Sequence, residues 1–309
     1  MDNTKNAQAA SDIKQVLILG AGTMGAQIGV QCAAFGFDVM IFDPFKAALE
    51  TAQKRIGKLA TRLAACNRIS TEQAESALTR IDFSSDPEFA GKNADLISES
   101  VPEDPKLKQQ VFGQFDEICP AHTIFTTNTS TLVPSMIAEA TGRPDRFCAL
   151  HFHDCQVTNV VDIMPHSGTS RETLDTVRSF CTAIDQFPIE LNKEQHGYVF
   201  NAMLSEWMAS ALSLASKEVA SIQDIDRAWM GIMRSMTGPF GIMDSIGLET
   251  VFKVTDYWAQ KKQDPQAKKN AAFLKSYVDK GLLGIKTGKG FYAYPEPEFL
   301  KPDFLKGIH

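Results

Sequence analysis

The run QVLIL followed at once by GAGTMGAQIGVQCAAFG, residues 15 to 36, constrains the fold more than any other stretch of the chain. Five residues rich in Val, Leu and Ile read as a buried strand. The chain then turns helical until Gly36, a residue suited to a left-handed helix end. The turn between them holds Gly20, Gly22 and Gly25 in the spacing G-x-G-x-x-G, with Thr23 and Met24 between the last two. The first glycine permits a tight turn, the second lets backbone approach a pyrophosphate, and the third packs helix on strand. The helix N-terminus then offers free N–H groups and the positive end of its dipole to an anion. Glycine spacing alone is a weak signal, but here a second apolar run, DVMIF, leads directly into Asp43. A carboxylate at that distance grips a ribose 2'-hydroxyl and repels a 2'-phosphate, and PFKAALE after it offers no arginine, so the pattern predicts NAD and not NADP.

Strand-like and helix-like runs keep alternating downstream: ADLISES, PKLKQQVFGQFDEIC, TIFTTN, PSMIAEAT and RFCALHF. That order predicts an α/β fold with a doubly wound parallel sheet, whose ligands sit beyond the carboxyl ends of the strands. Residues 98–103, 128–130 and 151–154 fall at those ends and are expected to line one crevice. Between Asp43 and Ala94 the pattern predicts a long helical insertion, an arm over about 46–80, with a capping box at Ser70 and Gln73. Lys54, Lys58 and Arg62 share one face of it, opposite a stripe of Ile56, Leu59, Ala60 and Leu63. Such a face either holds phosphates or is a solvated surface over a packed stripe. After FPIEL the β signals fade and amphipathic helices take over, with Ser221 and Asp224 as cap residues. Met203, Met208, Met230, Met233, Met236 and Met243 fall at roughly helical spacing and read as core or subunit interface. The expected organisation is a loose tail at 1–11, a Rossmann-type domain at 12–194 and an all-helical domain at 195–309 that pairs with a copy of itself as a homodimer.

Composition removes several classes. A net charge of -6 argues against broad nucleic-acid binding, which needs excess Lys and Arg. No apolar run approaches the length of a membrane span. Six scattered cysteines without a C-x-x-C predict reduced thiols and a cytoplasmic location.

The stretch LHFHDC places two histidines, an acid and a thiol together. On a strand His151, His153 and Cys155 would point the same way and could present ligands to zinc, but no fourth ligand at metal spacing is evident and we expect no metal. A hydride leaves a hydroxyl-bearing carbon only as the O–H proton is removed. Histidine is the base tunable for that near neutral pH.

GAGTMGAQIG, SESVPEDPKLK, TTNTSTL, LHF, GYVFNAML, GPFGIMDSIGLE and GIKTGKGFYAYP, in this order, resemble the successive signatures of the 3-hydroxyacyl-CoA dehydrogenase family, including its 3-hydroxybutyryl-CoA dehydrogenase type. The resemblance covers nearly the whole chain after the tail. It implies a Rossmann domain, a protruding helical arm, a dimerising helical domain, and NAD-linked oxidation of a short 3-hydroxyacyl-CoA to the 3-ketone. It puts the catalytic histidine at His151 with Asp162 as its carboxylate, and substrate-side polar groups at Ser130 and Asn201. Cofactor contacts are expected at Gly20, Gly22, Thr23, Met24, Gly25, Asp43, Glu103, Lys108, Ser130, Asp154 and Lys286, and substrate phosphates at Lys54, Lys58 and Arg62.

Three departures shape the expectation. Asp154 stands where the family has Asn. Asp162 replaces a Glu and arrives one residue early, which predicts a poorer reach to the ring. Leu59 and Cys66 fall where the family's CoA-touching Ser and Lys are. Two other readings therefore stand beside the first: a dehydrogenase of a small free β-hydroxy acid, carnitine- or gulonate-like, and an NAD(H)-binding sensor that has lost turnover.

Overall fold

The computed structural model describes residues 13–306, so the expected tail lies outside the described residues. The chain divides into two compact units, one ending at Val199 and one starting at Phe200.

The first unit opens with β1 (Gln15–Leu19), α1 (Thr23–Ala34) and β2 (Asp38–Phe42), the strand, turn and helix that the glycine pattern predicts. Helices α2 (Lys46–Ala65) and α3 (Thr71–Leu78), strand β3 (Ile81–Ser84) and the short α4 (Pro87–Gly91) lead to β4 (Leu96–Glu99). Then come α5 (Pro105–Ile118), β5 (Ile124–Thr127), β6 (Phe147–Phe152), β7 (Val160–Met164), α6 (Arg171–Ala183) and β8 (Phe187–Glu190). Eight strands form one sheet in the order β3-β2-β1-β4-β5-β6-β7-β8. The order reverses between β1 and β4, which is where an open α/β sheet leaves a crevice for a ligand.

Both faces are covered, which is why β1 reads as an unbroken apolar run. On one side Ile28 of α1, Ile56 and Leu63 of α2, Ala77 of α3 and Val177 and Phe180 of α6 share a core with Val16, Ile18, Val39 and Ile41. On the other, Phe112 and Phe115 of α5 pack with Leu17, Leu19, Ile97 and Phe125.

Four expectations need correction. The sheet is not wholly parallel, because β7 runs antiparallel to β6. Only residues 153–159 join those strands, and a parallel crossover needs a dozen or more. The segment from Asp43 to Ala94 is not all helix, since β3 inside it pairs with β2. The arm does not protrude. Its predicted stripe on α2 is buried and merges with the core over α1, each buried Ile or Leu contributing roughly 1.5–3 kcal/mol. PSMIAEAT forms two 3-10 turns, Pro134–Met136 and Ala138–Thr141, in place of a helix. The capping box at Ser70 and Gln73 is present as expected.

The second unit is helical: α7 (Phe200–Ser216), α8 (Ile222–Met233), α9 (Pro239–Ile246), α10 (Leu248–Lys262) and α11 (Pro265–Val278). Its core is built from Leu212, Phe240, Met243, Leu248 and Leu274. Ser221 caps α8 by accepting from the Asp224 N–H. Buried Asp226 accepts from the N–H groups of Phe240 and Gly241 at the start of α9 and from the Tyr292 hydroxyl. The methionines split: Met230 and Met243 are buried, whereas Met203, Met233 and Met236 are exposed.

Candidate active site

The glycine turn is shaped for a ligand's backbone. Gly20 has φ of 105°, and a Cβ there would lie 2.8 Å from the Ser100 carbonyl oxygen. A Cβ on Gly25 would lie 2.0 Å from the Gly20 carbonyl oxygen, so only glycine allows α1 to sit this close. At Gly22 a Cβ would meet nothing within 4 Å. No part of the described protein needs that position to be bare, and a close-approaching pyrophosphate does. No side chain caps α1, whose first residues are Thr23 and Met24. Asp43 accepts from the Ala21 N–H at 3.0 Å and from the Phe45 N–H at 3.0 Å, and each oxygen keeps a lone pair for a ribose hydroxyl. Arg55, which no motif in the sequence singles out, turns from α2 to this place: its Nη1 donates to Thr23 Oγ1 at 3.1 Å.

The crevice segments come together. The Asn128 side chain accepts from the Phe152 N–H at 2.7 Å, the Thr129 hydroxyl donates to Glu103, and the Tyr198 hydroxyl donates to the Thr129 carbonyl at 2.5 Å. His151, at the carboxyl end of β6, lies directly opposite Asp162 of β7. Its Nδ1 is 3.1 Å from Asp162 Oδ2, so the shorter acid and the shorter segment do reach the ring. Antiparallel pairing makes that possible, because partners in register face the same side of the sheet. Tyr198, at φ 54° after Gly197, lays its ring on His151 with centroids 4.6 Å apart.

Burial acts to lift the Asp162 carboxyl, but hydrogen bonds and charge from His151 and His153 together hold it below the usual carboxylate range. An ionised acid accepts only, so both ring nitrogens facing it carry hydrogens. The His151 tautomer is thereby fixed with Nε2 as its acceptor. His153 Nε2 also lies 3.1 Å from Asp162 Oδ2. Cys155 has left that group: it is buried in the core over α1, its N–H donates to Gln27, and burial pushes its thiol up to about 12. The triad of His151, His153 and Cys155 that suggested zinc is therefore absent. Among the described residues, the set whose ligand atoms lie within 4.8 Å of one another is His151, His153 and Asp162, and a proton on each nitrogen facing the carboxylate satisfies both contacts.

Lys108 is 1% exposed. It forms an ion pair with the fully buried Glu99 at 2.6 Å and reaches Glu103 Oε2 at 3.3 Å. Burial raises the Glu99 carboxyl, against the pull of Lys108. Glu99 also accepts from the Thr127 hydroxyl and the Val101 N–H. This buried knot holds the loops after β4 and β5 that carry Glu103 and Ser130.

Asp154 is exposed and accepts from the Gln156 N–H at 3.0 Å, a local turn. Ser130 is exposed in the loop after β5. Lys54, Lys58 and Arg62 are exposed along α2, Leu59 is buried and Cys66 is exposed. Asn201 lies in the first turn of α7 and Lys286 in a 3-10 turn, Ile285–Thr287, both in the second unit.

A strand, bare glycine turn and helix, with an imidazole on a buried carboxylate at the carboxyl ends of the same sheet, define a dinucleotide-dependent oxidoreductase of the Rossmann class. The chain belongs to the 3-hydroxyacyl-CoA dehydrogenase family: residues 15–195 match that family's NAD binding domain and residues 197–294 its C-terminal domain. It is 32% identical to the probable 3-hydroxybutyryl-CoA dehydrogenase of Bacillus subtilis (strain 168), covering 92% of this chain and 99% of that one. It is 31% identical to the mitochondrial hydroxyacyl-coenzyme A dehydrogenase of Rattus norvegicus, covering 91% of each. Among solved structures it resembles a diketoreductase described as acting on dicarbonyl compounds, with a TM-score of 0.85, 39% identity and coverage of 91% and 99%. It also resembles the (S)-3-hydroxybutyryl-CoA dehydrogenase of Ralstonia eutropha, with a TM-score of 0.82, 29% identity and coverage of 92% and 100%.

Proposed function

We propose that this NAD-dependent enzyme interconverts a short-chain 3-hydroxyacyl-CoA and its 3-ketoacyl-CoA, with His151 as general base and acid. The observation that carries this reading is the contact of 3.1 Å between His151 and a buried Asp162. NAD, when bound, supplies the ring that accepts hydride. The residues suited to hold it are Gly20, Gly22, Thr23, Met24, Gly25, Asp43 and Arg55, with Glu103, Ser130, Asp154 and Lys286 as further contacts and Lys108 acting through Glu103. His151 takes the hydroxyl proton at Nε2, and Asp162 stabilises the imidazolium that results. Ser130 and Asn201 hold the substrate's oxygen and thioester carbonyl by hydrogen bonds. Lys54, Lys58 and Arg62 meet the CoA phosphates.

A second reading has its own support. The diketoreductase is 39% identical, and buried Leu59 and exposed Cys66 put no phosphate ligand at two places on α2. A small free β-hydroxy acid or dicarbonyl substrate fits those facts. NADH oxidation followed by absorbance, with acetoacetyl-CoA against free 3-keto acids and dicarbonyls, decides. We expect kcat/KM for acetoacetyl-CoA to exceed the others at least about tenfold, the weight of one or two phosphate contacts. The reverse ranking favours the free substrate, and NADH binding without turnover of any compound favours a sensor.

Arg55→Ala is expected to raise the NADH Kd about tenfold, the loss of one charge-assisted contact. Fluorescence titration reads it, and an unchanged Kd removes Arg55 from the cofactor site.

We also propose a homodimer through the helical unit, supported by the large apolar side chains it leaves exposed, Phe200, Met203, Ile232, Met233 and Met236, the residue types that fill the core of an interface. Light scattering tests it. Six free cysteines support a cytoplasmic location. No helix among the described residues is long and apolar enough to cross a membrane.

A further inference from the structure

Asp162 serves two imidazoles. His151 Nδ1 and His153 Nε2 each lie 3.1 Å from the same oxygen, Oδ2, and the two rings meet edge to face with centroids 4.6 Å apart. The carboxylate is 1% exposed, so water does little to solvate it and these two donors carry much of that task. We propose that His153 is a positioning residue: by sharing Oδ2 it weakens the pull of Asp162 on His151, and so extends toward acid the pH range in which His151 works as the base for alcohol oxidation. The proposal rests on His151 being that base.

The physical cause is shared charge. Each N–H that a carboxylate oxygen accepts draws on its negative charge, so an imidazolium formed at His151 meets a partner already partly neutralised by His153. The other groups around the pair do not cancel the effect. Tyr198 covers His151 from the second side as a neutral phenol, its ionisation driven far up by burial and then by Asp162. Glu99 and Glu103 are joined through Lys108. Asp154 next to His153 is exposed and engaged with Gln156, and the Cys155 thiol stays neutral. Asp162 is the charge in hydrogen-bond contact with both rings.

The test compares His153→Phe, which removes the donor, with His153→Gln, which keeps an N–H near the position of Nε2. In the oxidation direction the acid limb of kcat/KM for His153→Phe is expected to move about half to one unit toward higher pH, a three- to tenfold loss of rate at a fixed pH below the limb. His153→Gln should lie close to the parent enzyme, and NADH affinity should be unchanged in both. A second readout needs neither cofactor nor substrate: in 15N spectra of histidine-labelled protein, the His151 ring should take up its proton at higher pH in His153→Phe than in the parent. A limb that does not move, or moves equally in both variants, overturns the proposal. So does stoichiometric metal in the purified protein by elemental analysis. If His151→Gln keeps full turnover, the base assignment fails instead, and the spectral shift alone still reports the shared carboxylate.

Discussion

His151→Gln is expected to lower turnover by about 10²–10⁴-fold, the range that a positioned general base supplies, while NADH affinity stays within about twofold. Gln carries no group that takes up a proton near neutral pH, so the alcohol keeps its proton and the hydride stays with it. The fold should survive. Asp162 keeps the hydrogen bond from His153 after the change, so no buried carboxylate is left without a donor, which is the change that would cost several kcal/mol. What is lost structurally is the Nδ1 hydrogen bond to Asp162 and the ring stacked on Tyr198, the stacking contributing about 0.5–1.5 kcal/mol. The glycine turn and Asp43 lie on β1, α1 and the end of β2, and Asp43 spends its hydrogen bonds on the Ala21 and Phe45 N–H groups rather than on the His151 ring, so cofactor binding is separable from the chemistry. Stopped-flow absorbance and fluorescence titration read the two quantities. Turnover within tenfold of the parent, or loss of NADH binding, would remove His151 from the role.

The readable parts of the chain are those where a local pattern and a long-range requirement coincide. Gly20 and Gly25 are needed by the turn itself and are visible as spacing. Asp43 is visible because it closes an apolar run. The stripe on α2 is legible from its period, but its destination is not: periodicity says which face is buried and nothing about what buries it, so a docked helix reads like a free arm. The direction of β7 is hidden for a related reason. VVDIM carries the same apolar run whether it is parallel or antiparallel, and the decision lies in the shortness of residues 153–159. That reversal sets Asp162 opposite His151, so the apparent defect of a shorter acid one residue early is absorbed by register. Cys155 escapes the expected cluster because alternation on a strand holds only while the strand lasts, and β6 ends at Phe152. Lys108 is expected from the family resemblance as a cofactor contact, and nothing in the local pattern at the start of its helix shows that it is buried. Its burial comes from Glu99, which looks like one more polar residue at a strand end.

That buried pair yields the largest expected effect on stability. Lys108→Met leaves Glu99, 0% exposed, without its ammonium partner, and removal of one member of such a pair costs about 3–5 kcal/mol. The pH dependence has a defined sign. Burial already raises the Glu99 carboxyl against the opposing pull of Lys108, and in the variant only the hydrogen bonds from the Thr127 hydroxyl and the Val101 N–H still oppose it. A carboxyl raised in the folded state binds its proton more tightly there than in the unfolded chain. The penalty is therefore absent below the unfolded carboxyl range and grows as pH rises through the folded one. Denaturant unfolding at several pH values should show the variant furthest from the parent at neutral pH and converging on it in acid, with the slope m unchanged. Adding Glu99→Gln should recover most of the loss, since the amide can still accept from the Val101 N–H and meet the Thr127 hydroxyl that Glu99 now serves. NADH affinity should fall with the single change and return with the double one, because the loops carrying Glu103 and Ser130 hang from these contacts. A loss under about 1 kcal/mol at neutral pH, or a penalty that grows on acidification, would show that the Glu99 charge is met by something other than Lys108.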